Sequence, residues 1–172
     1  MKLFSALRTV LFTATLAILS IAASATSNQY FSVTAPVELI AEAPHTGTTD
    51  TGATYTAYDY SGSMPNTDYY TVGVGVCPFT IVPEDLQRIA DRFTAGLPGG
   101  AKVLKSGSVT VDGQPALMQT LETTVEGRTI RAAWLGTYKG NTFYQFVFAT
   151  YLDVANTDMT QVGTFFSSIS LK

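Results

Sequence analysis

Between Lys102 and Tyr151 the chain reads as four consecutive strands joined by three short turns, and this stretch restricts the fold more than any other. The runs are Lys102 to Val111, Pro115 to Val125, Thr129 to Tyr138 and Thr142 to Tyr151, separated by Asp112-Gly113, Glu126-Gly127 and Lys139-Gly140-Asn141. Glycine and its acidic or amide neighbours tolerate the positive φ that a tight hairpin demands, so neighbouring runs are expected to pair antiparallel. Side chains alternate along a strand, so in the last run Tyr144, Phe146 and Phe148 share one face while Phe143, Gln145, Val147 and Ala149 share the other. Both faces are apolar, which fits a central strand covered on both sides. The aromatics of this run are therefore expected to be core rather than a stacking surface for a ligand.

Upstream, Phe31 to Val33 and Val37 to Ile40 read as an opening strand broken by Pro36. Residues 41–52, AEAPHTGTTDTG, contain no large apolar side chain and read as an exposed, mobile loop. Thr54 to Tyr60 and Tyr69 to Val76 are β-prone, with SGSMPNT as the turn between them. In the second of these strands Tyr70, Val72, Val74 and Val76 fall on one face, and Gly73 and Gly75 on the other, where something can pack close to the backbone. Pro83, Glu84 and Asp85 suit the first turn of a helix, Leu86, Ile89, Ala90 and Phe93 form its apolar stripe, and Gly96 stops it. A terminal helix is expected with Asp158 as N-cap, Gln161 three residues on, and a stripe of Val162, Phe165, Phe166 and Ile169 that ends at Leu171. The class is α+β: an antiparallel β-sheet of about six or seven strands sandwiched by helices, one after the third strand and one at the end.

The first residues carry Lys2 and Arg8, then an apolar stretch from Val10 to about Ala23 and the small trio Ala23-Ser24-Ala25. This is the layout of a secretory leader with cleavage expected after Ala25, giving residues 1–25 as signal peptide and 26–172 as one domain. The stretch is shorter than the roughly 20 residues a membrane-spanning helix needs, and it is interrupted by Thr13, Thr15 and Ser20. Without Lys2 and Arg8, eight basic residues face thirteen acidic ones, a balance that argues against a nucleic-acid binder. An exported chain with a single cysteine, Cys77, has no internal disulfide, and the apolar neighbours of Cys77 suggest burial.

The order of features in GQPALMQTLETTVEGRTIRAAWLGTYKGNTFYQFVFATYLDVANTDMTQVGTFFSSISL is Gly-x-Pro-Ala opening a strand, a Gly-Arg turn, a strand, then a Gly-Asn turn before an aromatic strand. A polar gap and a Phe-Phe-Ser-Ser-Ile helix end follow. This order resembles the superfamily of PsbP-like domains, which includes a nuclear Ran-binding factor and exported bacterial domains related to DcrB. The resemblance spans about residues 28–172 and implies an antiparallel sheet sandwiched between helices. It also implies a non-catalytic binding or assembly module, because members of the superfamily mostly act that way and share no catalytic residue set to carry over.

Taken singly, the candidate residues point to contact rather than chemistry. His45, with Glu42 and Asp50 in the same loop, supplies one nitrogen and two oxygens, whereas a catalytic zinc site commonly takes more than one His. Cys77 lies ahead of Glu84 and Asp85, which disfavour a thiolate if they are close. There is no G-x-S-x-G and no phosphate-loop glycine pattern, and a Ser-His-Asp triad has only His45 to run through. Tyr55, Tyr58, Tyr60, Tyr69 and Tyr70 form the densest cluster of interface-prone side chains; Tyr58 and Tyr60 share a strand face and Tyr55 takes the other. With His45 and the adjoining loop they are the expected partner surface, although cross-strand pairing of tyrosines within a hairpin explains them as well. No cofactor and no metal are expected. The expected role is a non-catalytic binding or assembly module of the cell envelope, periplasmic or extracellular, with another envelope protein as partner. The alternatives are a carrier of a small apolar ligand and a hydrolase or thiol enzyme using His45 or Cys77.

Overall fold

The computed structural model describes residues 23–49, 51–65, 68–153 and 159–172. Most of the expected leader, Asp50 and the expected N-cap Asp158 therefore lie outside the described residues. The described strands, in chain order, are β1 (Ser24–Ser27), β2 (Phe31–Ala35), β3 (Ile40–Ala41), β4 (His45–Thr48), β5 (Thr54–Ser63) and β6 (Asp68–Val76). After helix α1 (Pro83–Gly96) come β7 (Lys102–Val111), β8 (Gln114–Val125), β9 (Arg128–Lys139) and β10 (Thr142–Tyr151), then helix α2 (Met159–Ser167) and β11 (Ser170–Leu171).

The four-strand meander forms as the turn residues dictate. Asp112 and Gly113 sit at φ 50° and 76°, and Glu126 and Gly127 at φ 51° and 79°, the paired positive angles of a two-residue hairpin. The large sheet runs β3-β5-β6-β10-β9-β8-β7, with β4 also paired to β5, and these neighbours pair antiparallel. β10 is central, as its two apolar faces require. A second sheet, β1-β2-β11, lies over one face of the first.

That covered face holds the main core. Tyr70, Val72 and Val74 of β6 and Tyr144, Phe146 and Phe148 of β10 meet Phe31 and Val33 of β2, Phe165 of α2 and Leu171 of β11. Aromatic edges interlock there, with Phe31 against Phe146 and Tyr70 against Phe165. On the opposite face α1 lays Leu86 and Ala90 on Leu117 and Trp134. The helix starts where expected: Pro83 opens it, and the Asp85 carboxylate accepts the Val82 N–H at 3.1 Å. This is the backbone half of a capping box.

Several expectations need correction. The described strands number eleven in two sheets rather than about six or seven in one, and six of them, not three, precede α1. β1, β3, β4 and β11 have two to four residues each, too few for an alternation to show. Residues 41–52 are not simply a loop, because His45–Thr48 pairs with Thr54–Ala57. The strand expected over Val37 to Ile40 is confined to Ile40–Ala41, and Ser61–Ser63, expected in a turn, prolongs β5. The terminal helix stops at Ser167; Ile169 follows it, and Leu171 pairs with Phe31 as a strand residue.

Candidate functional site: the open half of the large sheet

Helix α1 packs on β8 and β9, so it leaves the β5–β6 half of the same face to side chains alone. The floor of this half is bare where Gly73 and Gly75 of β6 point outward, and two side chains lie across it. Gln145 of β10 covers Gly73, where a Cβ would come within 2.6 Å of its Nε2. The Tyr55 ring spans from Gly75, 3.5 Å from where a Cβ would stand, to Gly47 of β4, whose absent Cβ it nearly replaces. The expectation that something packs on these glycines therefore resolves into Gln145 and Tyr55.

Asp59, the next-but-one residue after Ala57 on the same face of β5, is flanked by His45, whose Nδ1 stands 3.6 Å from its Oδ2. Burial pushes the Asp59 carboxyl above its ordinary range; the neighbouring His45 draws it back and Glu42 pushes it up again. Glu42 is tied down by its backbone N–H to the Asp59 carbonyl at 2.8 Å, and it accepts from Ser61 Oγ at 3.4 Å. The Tyr55 hydroxyl is raised above its usual value chiefly by burial, with Cys77 adding to the shift and Arg92 opposing it. Ile40 stands at the rim with 67% of its surface exposed. The arrangement offers a carboxyl, an imidazole, an amide and a phenol over a flat floor. Ser61 Oγ is directed at Glu42 rather than at the imidazole.

The tyrosines do not form one patch. Tyr55 belongs to the open half-face with His45. Tyr58 and Tyr60 lie on the opposite face, half-buried against Tyr30 and Phe31 with ring centroids 4.9 and 5.1 Å away. Tyr70 is 0% exposed, its ring against Phe148 and Phe165, so it serves the core and offers no surface. Tyr69 stands at the far end of β6, its ring 6.1 Å from Tyr151, which in turn lies under the Arg128 guanidinium at 3.7 Å. Arg128 is held there by paired bonds to Asp153 at 2.9 and 2.7 Å.

Asp59 and Gln145 escaped the sequence reading. The available signal was that Asp59 alternates with Tyr58 and Tyr60 and so shares a face with Tyr55. Its nearness to Gln145 depends on the registers Asp59↔Gly73 and Gly73↔Gln145, which span three strands.

Cys77 is half-buried, and its thiol is pushed up first by burial and then by Asp85, as the acidic neighbours suggested. Among the described residues no group of three or more His, Cys, Asp or Glu is gathered as for a metal ion. Nor is any described helix long and apolar enough to cross a membrane. Two surface hollows stand out: one of about 100 Å³ between Ala23, Pro36 and Thr164, and one of about 310 Å³ between Gly100, Lys102 and Thr129. Both are open, and the larger is mostly polar.

The sequence matches no family model and no curated protein. Its fold is similar to those of several solved structures, among them these two. One is PsbP (CyanoP) of Synechocystis sp. PCC 6803, at TM-score 0.60 and 13% identity, covering 93% of this chain and 98% of that one. The other is LpqN of Mycobacterium tuberculosis, described as involved in cell envelope biogenesis, at TM-score 0.50 and 13% identity, covering 88% of this chain and 91% of that one. The chain has a PsbP-like α+β fold, as the order of its turns and strands implied.

Proposed function

We propose that this chain is a non-catalytic binding or assembly module of the cell envelope, exported to the periplasm or beyond, and that it engages another envelope protein. The observation that carries the reading is the open half-face of the large sheet. There Tyr55, Asp59, His45 and Gln145 present hydrogen-bonding groups over the glycine floor, beside the exposed Ile40. Interfaces favour such a mixture, an apolar or aromatic anchor ringed by polar groups. The secretory layout of the first residues and the acidic balance of the rest support the location and the choice of a protein partner. The involvement of LpqN in envelope biogenesis is consistent with it.

Of the tyrosines, Tyr55 and, more distantly, Tyr69 belong to this surface. Tyr58 and Tyr60 back it from the other side, and Tyr70 contributes through the core. The test replaces the exposed members, Ile40→Ser and His45→Ala, and compares crosslinked partners captured from envelope extracts with those of the parent. Both variants are expected to fold with unchanged melting temperature and to lose the partner that the parent captures. Retention of that partner by both variants defeats the assignment.

A further inference from the structure

We propose that β7 is a self-pairing edge, through which two copies of this chain join antiparallel into one continuous sheet. β7 ends the large sheet, and Lys102 to Thr110 are all exposed along it. A long strand with one partner displays unpaired backbone groups, and chains usually blunt such an edge by shortening, charging or bulging it. The opposite end of the sheet is blunted in that way, since β3 and β4 have two and four residues. In β7 both lysines and the bulge between Val103 and Lys105 lie in the first half. Ser106 to Val111 carries no charge, no proline and no bulge.

Pro115, opposite Thr110, has no N–H, and its carbonyl accepts Thr137 Oγ1 of β9 at 2.9 Å. Thr110 therefore takes no backbone bonds from β8 and turns its N–H and C=O outward; by alternation Ser108 and Ser106 do the same. Gly107 lies between them with nothing within 4 Å of where a Cβ would stand and without a positive φ. Neither packing within one chain nor its backbone angle calls for glycine there. An interior glycine in a strand often marks the close approach of another backbone.

The strand's own sequence fits that place. With Ser108 on a two-fold axis, Ser106 of each copy pairs with Thr110 of the other, each pair exchanging both backbone bonds. Gly107 then faces Val109 of the other copy, a side chain 38% exposed in the single chain, across the kind of pair that brings side chains closest. Lys105 comes opposite Val111, next to Asp112 of the other copy, so a basic end meets an acidic one at both ends of the contact. Registers nearer the lysines set Leu104, at the bulge, against Ser108 or Thr110 and bring the two Lys105 ammoniums together; registers nearer the turn shorten the ladder. β7 and the β5–β6 half-face lie at opposite ends of the sheet, so the pairing leaves that surface open in both copies.

Light scattering of the purified protein is measured from about 1 μM to 1 mM, the range in which a small edge contact is expected to associate. The parent should dimerise reversibly. Ser108→Pro removes an outward N–H that the single chain does not use, so it should raise the dissociation constant at least about tenfold and leave the melting temperature unchanged. The register is read by mild oxidation in a Cys77→Ser background. Ser108→Cys should give a disulfide-linked dimer, because its two copies face each other with Cα atoms about 5.5 Å apart. Lys105→Cys should not, its copies being about 20 Å apart in this register. If Ser108→Pro fails to fold, the contrast between the two cysteine variants still decides. A parent that stays monomeric throughout, a dimer that folded Ser108→Pro leaves intact, or crosslinking at Lys105→Cys rather than Ser108→Cys overturns the proposal. Protection of the Ser106 and Thr110 amides by another envelope protein, with this chain monomeric, assigns the edge to that protein and overturns the second copy as its occupant.

Discussion

The indole of Trp134 lies across Gly136, two residues along the same face of β9, so closely that no Cβ fits beneath it. The ring cannot yield, because it is stacked between Phe93 at 5.6 Å and Phe143 at 6.5 Å and its Nε1 donates to Gln145 at 3.3 Å. Gly136→Ala therefore overpacks a rigid site and is expected to cost about 1–3 kcal/mol. Trp134 is the chain's single tryptophan and fully buried, so its fluorescence in a denaturant titration reads the loss directly. An unchanged midpoint means that the ring lies elsewhere.

Gly73 sits under Gln145 in a similar way, but the atom a Cβ would meet is the end of a flexible side chain. Gly73→Ala is expected to cost less than Gly136→Ala and to displace Gln145 from Trp134. A double-mutant cycle with Gln145→Ala should show the two costs to be less than additive, since the second change removes the obstacle to the first. Strict additivity separates the two residues.

Asp59 gives a pH dependence of unusual sign for a carboxylate. Burial raises its folded pKa above the unfolded value near 3.9, so in that window the folded chain binds more protons than the unfolded one. Its stabilising contribution is complete below the unfolded pKa and is lost as pH rises through the raised folded value. Asp59→Asn cannot ionise. The variant is expected to melt above the parent at pH 7, with the gap closing as pH falls toward the unfolded value. A variant less stable than the parent at neutral pH makes the His45 pairing, rather than burial, the dominant influence.

The long elements were legible because their signals are local. The meander has runs of ten to twelve residues ending in glycine turns, and the α1 stripe recurs with the period of its own backbone. β4 was not legible: His45-Thr46-Gly47-Thr48 has no large apolar side chain, and Gly47 matters only because the Tyr55 ring reaches it from the neighbouring strand. β11 is two residues long and exists because Phe31 and Ser32 supply its partners. Alternation placed Tyr55 opposite Tyr58 and Tyr60, but it carries no information on which face a second sheet will cover. The site was hidden for the same reason, since its members meet through register and not through spacing.

Cys77 is expected to be a slow nucleophile. Its thiol is raised by burial and by Asp85, and the segment is pinned by Asn141, which donates to the Cys77 carbonyl at 2.8 Å and accepts its N–H at 2.9 Å. Alkylation by iodoacetamide near neutral pH should be slower than that of an unstructured cysteine peptide and should quicken in Asp85→Asn. That variant keeps an oxygen for the Val82 N–H while losing the charge. A rate equal to the peptide's returns Cys77 to the candidate reactive residues.

The two sheets are joined at the C-terminal strand by side chains of the large one. Asp112, at φ 50° in the β7–β8 turn, accepts the Leu171 N–H at 2.9 Å, and Lys139 Nζ donates to the Leu171 carbonyl at 3.0 Å. Within the smaller sheet itself, the Lys172 N–H donates to the Tyr30 carbonyl at 2.9 Å and its ammonium to Ser27 Oγ at 2.7 Å. Leu171 is 4% exposed, so loss of the carboxylate leaves its amide without that acceptor. Asp112→Ala is expected to cost about 1.5–3 kcal/mol, the range for a hydrogen bond to a charged group. Asp112→Asn keeps an acceptor and tolerates the positive φ, so it should cost clearly less. Amide exchange distinguishes a local effect from a global one: in Asp112→Ala the Leu171 amide should lose more protection than those of β9. Uniform loss across both sheets makes Asp112 important to the hairpin turn alone, not to the junction.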